Sequence, residues 1–199
     1  MPLIKNIQSC LINGVRLIEL NLFADERGHF ALLFSRQEMR KAKLKPYRFC
    51  YFAESSSKQG VVRAFHIARY TKYIHITWGC AHAAIMDCRL YSPTFGQIVT
   101  FTLDEHNVLI LPPNCGNGFQ ALTPTVKYLY AATGYWTPTA ERGVSYQEHR
   151  WPLPPIVSER DRNYLPFVEA YRKEIERRMR SRKSTLIIVR KALSESSVA

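Results

Sequence analysis

Lys72-Tyr73-Ile74-His75-Ile76-Thr77-Trp78, closed by Gly79, is the stretch on which the fold turns. Its side chains alternate along the run, β-branched and aromatic residues dominate it, and a glycine stops it, so it reads as a β-strand. The same signature recurs on both sides at short intervals. Upstream, residues 15–20, 30–34 and 47–53 are strand-like. Downstream, residues 83–90, 98–103, 108–111 and 125–131 repeat the pattern. Turn chemistry separates them: Asp25-Glu26-Arg27-Gly28, the serine-rich loop 55–60, Ser92-Pro93-Thr94-Phe95-Gly96, and Pro112-Pro113-Asn114-Cys115-Gly116. Residues 35–43 read as one short helix. Many short strands with few helical patterns predict an all-β sandwich or barrel.

The pattern changes at Phe167. Val168, Tyr171, Ile175 and Met179 recur at helical spacing among good helix formers. The chain therefore divides into residues 1–166 and a basic, partly helical C-terminal extension, 167–199. Between residues 171 and 191 nine basic side chains face only Glu174 and Glu176, a local charge of +7, which leaves +5 of the total +12 for the rest. Such a helix packs its apolar stripe on the barrel or on a sister subunit. Nucleic acid or an anionic membrane is the lesser reading, and neither is expected as a partner. Residues 185–189 form a short apolar run inside the basic flanks, and residues 194–199 read as frayed.

No apolar run approaches the roughly 20 residues of a membrane span, and the N-terminus lacks a signal-peptide pattern. The five cysteines are odd in number and scattered, with no Cys-x-x-Cys pair. They suggest neither a disulfide framework nor a zinc site, and the expected compartment is a reducing cytoplasm.

His66 ends the run Gly60-Val61-Val62-Arg63-Ala64-Phe65-His66, and Lys72 follows six residues later. A neutral imidazole can take a proton at neutral pH, and a nearby ammonium can stabilise the resulting negative charge. Tyr128 and Tyr130 share one face of their strand by alternation, so either phenol could serve such a site.

Several motifs then come in order: Asp25-Glu26-Arg27-Gly28-x-Phe30, Gly60-Val-Val-Arg63-x-x-His66, Lys72, Ser92-Pro-Thr-Phe-Gly96, Gly116-Asn117-Gly118-Phe119, Tyr128-Leu129-Tyr130, Trp151-Pro152 and Ser158-Glu159-Arg160-Asp161. Over roughly residues 15–166 this series resembles the dTDP-4-dehydrorhamnose 3,5-epimerase family. The resemblance implies a cupin jelly-roll barrel acting on a nucleotide-diphosphate 4-keto-6-deoxy sugar and inverting C3, C5 or both. It implies His66 as the base, Tyr130 as the proton donor from the opposite face, and Lys72 beside the developing oxyanion. Arg63, and Arg27 from a neighbouring subunit, would contact substrate and pyrophosphate, with Phe30 of the same motif among the substrate contacts. A homodimer exchanging an N-terminal strand is implied too. No cofactor is implied, because the substrate ketone is the electron sink.

The chain departs from the family pattern at ligand-facing positions. Tyr146-Gln147-Glu148-His149 stands where the family carries its aspartate ahead of Trp-Pro, which makes Glu148 the expected partner of His66. Asn117 replaces a second histidine, Tyr51 and Ala53 replace two amides, Trp136 replaces a tyrosine, Ala131 a lysine and Leu32 a glutamate. These changes predict an altered sugar or nucleotide choice. They also motivate an alternative, a degenerate cupin that only binds a sugar nucleotide. The His-x-His of metal-binding cupins is missing, since Ile67-Ala68-Arg69 follows His66, so no metal is expected.

Overall fold

The computed structural model describes residues 3–137 and 142–180. The strands in chain order are β1 (Ile4–Ser9), β2 (Arg16–Leu20), β3 (Leu22–Asp25), β4 (Gly28–Ala31), β5 (Tyr51–Lys58), β6 (Val61–Ile67), β7 (Lys72–Trp78), β8 (Ala81–Asp87), β9 (Ile98–Leu103), β10 (Asn107–Leu111), β11 (Cys115–Ala121), β12 (Thr125–Ala132), β13 (Arg142–Gly143) and β14 (Ile156–Val157). The short helices α1 (Arg36–Lys41), α2 (Glu159–Arg162) and α3 (Phe167–Ala170) and a 3-10 turn at Tyr146–Glu148 lie between and after them. One sheet runs β1-β2-β10-β7-β12-β5 and the other β13-β6-β11-β8-β9, with β14 parallel beside β6. The hairpin β3–β4 stands as a separate two-stranded sheet. This is the all-β jelly-roll barrel that the strand spacing and the motif series predict.

The two sheets close on a core of Ile74, Ile76, Ile85, Leu109, Phe119, Val126 and Tyr128. Strand β7 shows how alternation places the chemistry. Ile74 and Ile76 face this core, while Tyr73 packs outward with Ile18, Leu20, Met39 and Val108 under α1. Lys72 has the parity of Ile74, so the strand begins by carrying a buried ammonium on its inner face. Residues 72–76 are buried, and pairing with β10 on one edge and β12 on the other makes β7 a central strand.

Strand β6 breaks strict alternation. Asn117 of β11 opposes His66 and Phe119 opposes Arg63, so the register slips by one residue between them. Three residues on a regular strand would put Arg63 and His66 on opposite faces. The extra residue restores a common face, and both side chains reach the barrel interior. Gly118 sits opposite the irregularity. A Cβ there would lie 2.9 Å from Ala64 Cβ and 3.1 Å from the Phe65 ring, so the bulge needs a residue without a side chain.

The outer face of the second sheet is covered by residues 144–178. Val62, Phe65, Met86, Val144, Trp151, Phe167 and Tyr171 form a further core there. Residues 167–178 thus dock on the barrel. A helix over 172–180 continues from α3, with Ile175 packed inward and Arg178 donating to the Leu90 carbonyl at 3.1 Å. Only half of the predicted stripe does this work. Tyr171 and Ile175 pack, whereas Val168 and Met179 are exposed, because the chain turns at Tyr171 between α3 and the next helix. The apolar run 185–189 and the terminal residues 194–199 lie outside the described residues. Among the described residues no helix is long and apolar enough to cross a membrane.

Candidate active site

His66, Lys72 and Tyr130 line one cavity of about 260 Å³, together with Ser55, Arg63, Tyr70, Asn117, Phe119, Tyr128, Trp136 and Arg160. Three strands from the two facing sheets supply the core of it. β6 brings Arg63 and His66, β7 brings Lys72, and β12 brings Tyr130. Lys72 pairs with Ala132 in the β12–β7 ladder, which sets its ammonium 5.2 Å from the centre of the Tyr130 ring. Arg63 is braced by Ser57 Oγ at 3.1 Å and the Ser56 carbonyl at 3.4 Å.

The two phenols are told apart by their surroundings. Tyr128 is buried, stacked on Phe119 at 4.0 Å, and its hydroxyl donates to Asn117 Oδ1 at 3.0 Å. Burial pushes its pKa well above the usual phenol range. Its proton is committed to a neutral acceptor. Tyr130 is half-buried beside the Lys72 cation, so it is the phenol better placed to release a proton. Asn117 lines the cavity, opposite His66 in the ladder.

The partner of His66 is not Glu148. The Glu148 carboxylate accepts the Phe167 N–H at 2.8 Å and so tethers the start of α3. Asp161, the third residue of α2, takes the expected role: its Oδ1 lies 3.0 Å from His66 Nε2, with side-chain exposures of 2% and 13%. Asp161 Oδ2 also accepts the Ala64 N–H at 3.3 Å, which ties the carboxylate to the β6 bulge. Burial raises the Asp161 pKa, but hydrogen bonds and charge from His66 and Arg160 outweigh it and hold the carboxyl below its ordinary range. An ionised Asp161 favours the tautomer with the proton on Nε2, which leaves the lone pair on Nδ1. Arg160 Nη2 also lies 2.9 Å from Nε2, and its Nε lies 3.0 Å from Asp161 Oδ1. In one neutral imidazole the two contacts exclude each other. Nε2 either donates to Asp161 or accepts from Arg160.

Sequence reasoning missed Asp161, Arg160, Tyr70 and Tyr164. The first two sit in the quoted Ser158-Glu159-Arg160-Asp161 motif, but Ser-x-x-Asp is also the pattern of a helix cap, and Ser158 Oγ does accept the Asp161 N–H at 3.2 Å. Tyr70 occupies the short β6–β7 connection and lines both the His66 cavity and a neighbouring one of about 480 Å³ that also contains Trp136, Lys45 and Arg69. Trp136, half exposed, stands at the junction of the two. Tyr51 is not part of the His66 cavity wall. Its hydroxyl pairs with that of Tyr70 at 2.9 Å and its ring meets Tyr130 edge-on at 6.1 Å. Arg27 and Phe30 lie on the β3–β4 hairpin and line a different surface cavity with Phe23, Asp25, Gly28 and His29. Arg27 pairs there with Asp25. Within one chain they do not join His66. Among the described residues no three His, Cys, Asp or Glu side chains converge as a metal-ligand set.

Comparison with known proteins bears directly on this arrangement. The family model described as dTDP-4-dehydrorhamnose 3,5-epimerase matches residues 9–169. A dTDP-4-dehydrorhamnose 3,5-epimerase of Pseudomonas aeruginosa is 31% identical over 170 residues, covering 80% of this chain and 94% of that protein. A 4-keto-6-deoxy sugar epimerase from the novobiocin cluster of Streptomyces spheroides superposes with a TM-score of 0.80 at 28% identity, covering 84% of this chain and 90% of its own. An epimerase of Legionella pneumophila, solved in complex with dTDP-4-keto-L-rhamnose, superposes with a TM-score of 0.76 at 27% identity, covering 81% and 92%.

Proposed function

Because the chain belongs to the dTDP-4-dehydrorhamnose 3,5-epimerase family, we propose that His66 and Tyr130 move the protons of its reaction. The chain is an isomerase-class epimerase of nucleotide-linked 4-keto-6-deoxy sugars. In the proposed sequence His66 takes the hydrogen from a carbon flanking the C4 ketone. The bonding pair moves into the ring and the carbonyl oxygen becomes an enolate oxyanion, which the Lys72 ammonium stabilises. Tyr130 then donates its phenolic proton to the other face of the same carbon, the carbonyl re-forms and the configuration is inverted. The imidazolium and the phenolate return to their starting forms by exchange with water, so no proton is gained or lost. Asp161 holds the imidazole tautomer and stabilises its charged form.

The observation that carries this reading is the single cavity shared by His66, Lys72 and Tyr130. At about 260 Å³ it suits the sugar, and Arg63 and Arg160 on its wall suit the adjoining diphosphate. Trp136 offers an exposed ring on which a base can stack. We further propose a homodimer in which the β3–β4 hairpin of one copy brings Arg27 and Phe30 to the site of the other. Their position away from His66 within one chain is what favours it. A binding-only protein would leave the three convergent side chains without a task.

The test is solvent-deuterium exchange at the carbons flanking the ketone, with dTDP-, GDP- and CDP-linked 4-keto-6-deoxy sugars. His66→Ala is expected to abolish wash-in with every sugar that the wild type labels. Tyr130→Phe is expected to label without inverting. Wash-in by His66→Ala at the wild-type rate refutes the base assignment.

A further inference from the structure

We propose that Tyr164 is a positioning residue that fixes the plane of the His66 imidazole, and that residue 143 is glycine in order to admit it. The inference rests on His66 being the base. The Tyr164 ring meets the His66 ring edge-on, with centroids 6.1 Å apart and planes at 72°. Gly143 pairs directly with His66 in the β13–β6 ladder. A Cβ on Gly143 would fall 2.2 Å from Tyr164 Cζ and 2.3 Å from both Cε atoms. The phenol ring therefore lies flat against the glycine, and any side chain there must drive it out. Gly143 is not among the glycines with positive φ, so the backbone itself makes no demand for glycine. The ring does.

The chain connectivity gives the contact its meaning. Residues 158–165 form one short segment that starts at the Ser158 cap, carries Asp161 in α2, and reaches Tyr164 two residues after the helix ends. The Leu165 carbonyl accepts the Ser145 N–H at 2.9 Å, which pins the end of the segment beside β13. The same segment thus grips the imidazole twice, by a carboxylate at Nε2 and by an aromatic ring at its edge. The two grips do different work. A hydrogen bond tolerates a donor angle tens of degrees from linear, so Asp161 alone leaves the ring free to tilt. Proton abstraction from carbon requires the lone pair to point at the hydrogen, and small misplacements are costly. The ring of Tyr164 removes the tilt.

Four variants test this: Tyr164→Ala, Tyr164→Phe, Gly143→Ala and the Gly143→Ala/Tyr164→Ala pair. The first measurement needs no substrate. Carbon relaxation of the His66 ring in the ligand-free enzyme is expected to show a rigid imidazole in wild type and Tyr164→Phe and a more mobile one in Tyr164→Ala and Gly143→Ala, while long-range proton–nitrogen NMR shows the Asp161-held tautomer in all four. In the exchange assay, Tyr164→Ala is expected to lower kcat by about 10- to 100-fold with KM within about twofold of wild type. Tyr164→Phe retains the rate because it keeps the ring. Gly143→Ala costs a similar factor alone and nothing further once Tyr164 is alanine. Wild-type kcat in Tyr164→Ala overturns the proposal, and so does a Tyr164→Phe variant as slow as Tyr164→Ala. Full exchange by His66→Ala overturns the base assignment and this inference with it, and that outcome is distinct from the other two.

Discussion

Asp161→Asn tests the most consequential contact of the site. The Asp161 carboxylate lies 3.0 Å from His66 Nε2, and both side chains are largely shielded from solvent. When His66 takes the substrate proton it becomes a cation beside that anion. At 3.0 Å two unit charges attract by roughly 1.4 kcal/mol in bulk water and roughly 5.5 kcal/mol at an effective dielectric of 20. Arg160, with its Nε 3.0 Å from the same oxygen, already draws on the carboxylate charge and moves the net effect to the lower half of that range. A loss of about 2–3 kcal/mol follows, or about 30- to 150-fold in rate. Asparagine keeps the shape of the site, so the loss should fall on kcat and leave KM nearly unchanged. An asparagine that turns its NH₂ toward Nε2 would also select the other imidazole tautomer, which adds to the loss. The assay is deuterium wash-in followed by proton NMR at several substrate concentrations, with Glu148→Gln as the control. Glu148 is tied to Phe167, so that variant should exchange at the wild-type rate. An Asp161→Asn rate within threefold of wild type, or a Glu148→Gln variant slower than Asp161→Asn, refutes the geometric argument.

Glu148→Ala should lower stability by about 1 kcal/mol, read from thermal melts, because it strips the acceptor from the first N–H of α3 while leaving the exchange rate intact. Asp87 is fully buried and accepts from Arg89, Ser92 and Thr94, which outweigh the cost of burial and hold its pKa down to about 2. Its contribution is fully present above an ordinary carboxylate pKa near 4 and is lost as pH falls toward 2, so about 2 kcal/mol of acid-side stability should vanish in Asp87→Asn, flattening melts between pH 5 and 2. His82 and His149 meet with Nε2 atoms 2.9 Å apart, ring planes at 7° and centroids 5.2 Å apart, a nearly coplanar head-to-head contact in which one N–H donates to the other's lone pair. Burial holds both below the usual imidazole range, so their contribution is present above about pH 6.5 and is lost on acidification. In His149→Gln the melting temperature should change less between pH 7 and 5 than in wild type.

The barrel was legible in the sequence because its strands are short, carry β-branched and aromatic side chains, and end in turn residues. Asp25-Glu26-Arg27-Gly28 is the turn of the β3–β4 hairpin, and Ser35 caps α1 as its place before a short helical pattern suggests. Strand ends were less legible. Residues 30–34 look like a strand, yet β4 stops at Ala31, because Leu32, Leu33 and Phe34 are drawn under the first sheet to pack with Met39 and Tyr73. Residues 83–90 likewise overrun β8, which ends at Asp87 where the carboxylate gathers Arg89, Ser92 and Thr94 into a folded loop.

The site divides along a physical line. His66 on β6 of one sheet faces Lys72 and Tyr130 on the paired strands β7 and β12 of the other, and a motif can name all three because each is fixed by its own strand's register. The groups that control His66 come from elsewhere. Asp161 lies 95 residues further on, and its local pattern is fully accounted for by helix capping, so no short-range signal distinguishes a carboxylate that caps from one that also reaches the barrel. Glu148 is the mirror case, a carboxylate close to the expected place in the chain whose side chain is spent on the α3 start. Between them stands the β6 bulge, whose single extra residue puts Arg63 and His66 on one face. Simple alternation would have put Arg63 and His66 on opposite faces of the strand. The small side chain at Ala64 and the absent one at Gly118 are what allow that residue to be inserted, so the catalytic face depends on two positions that carry no chemistry of their own.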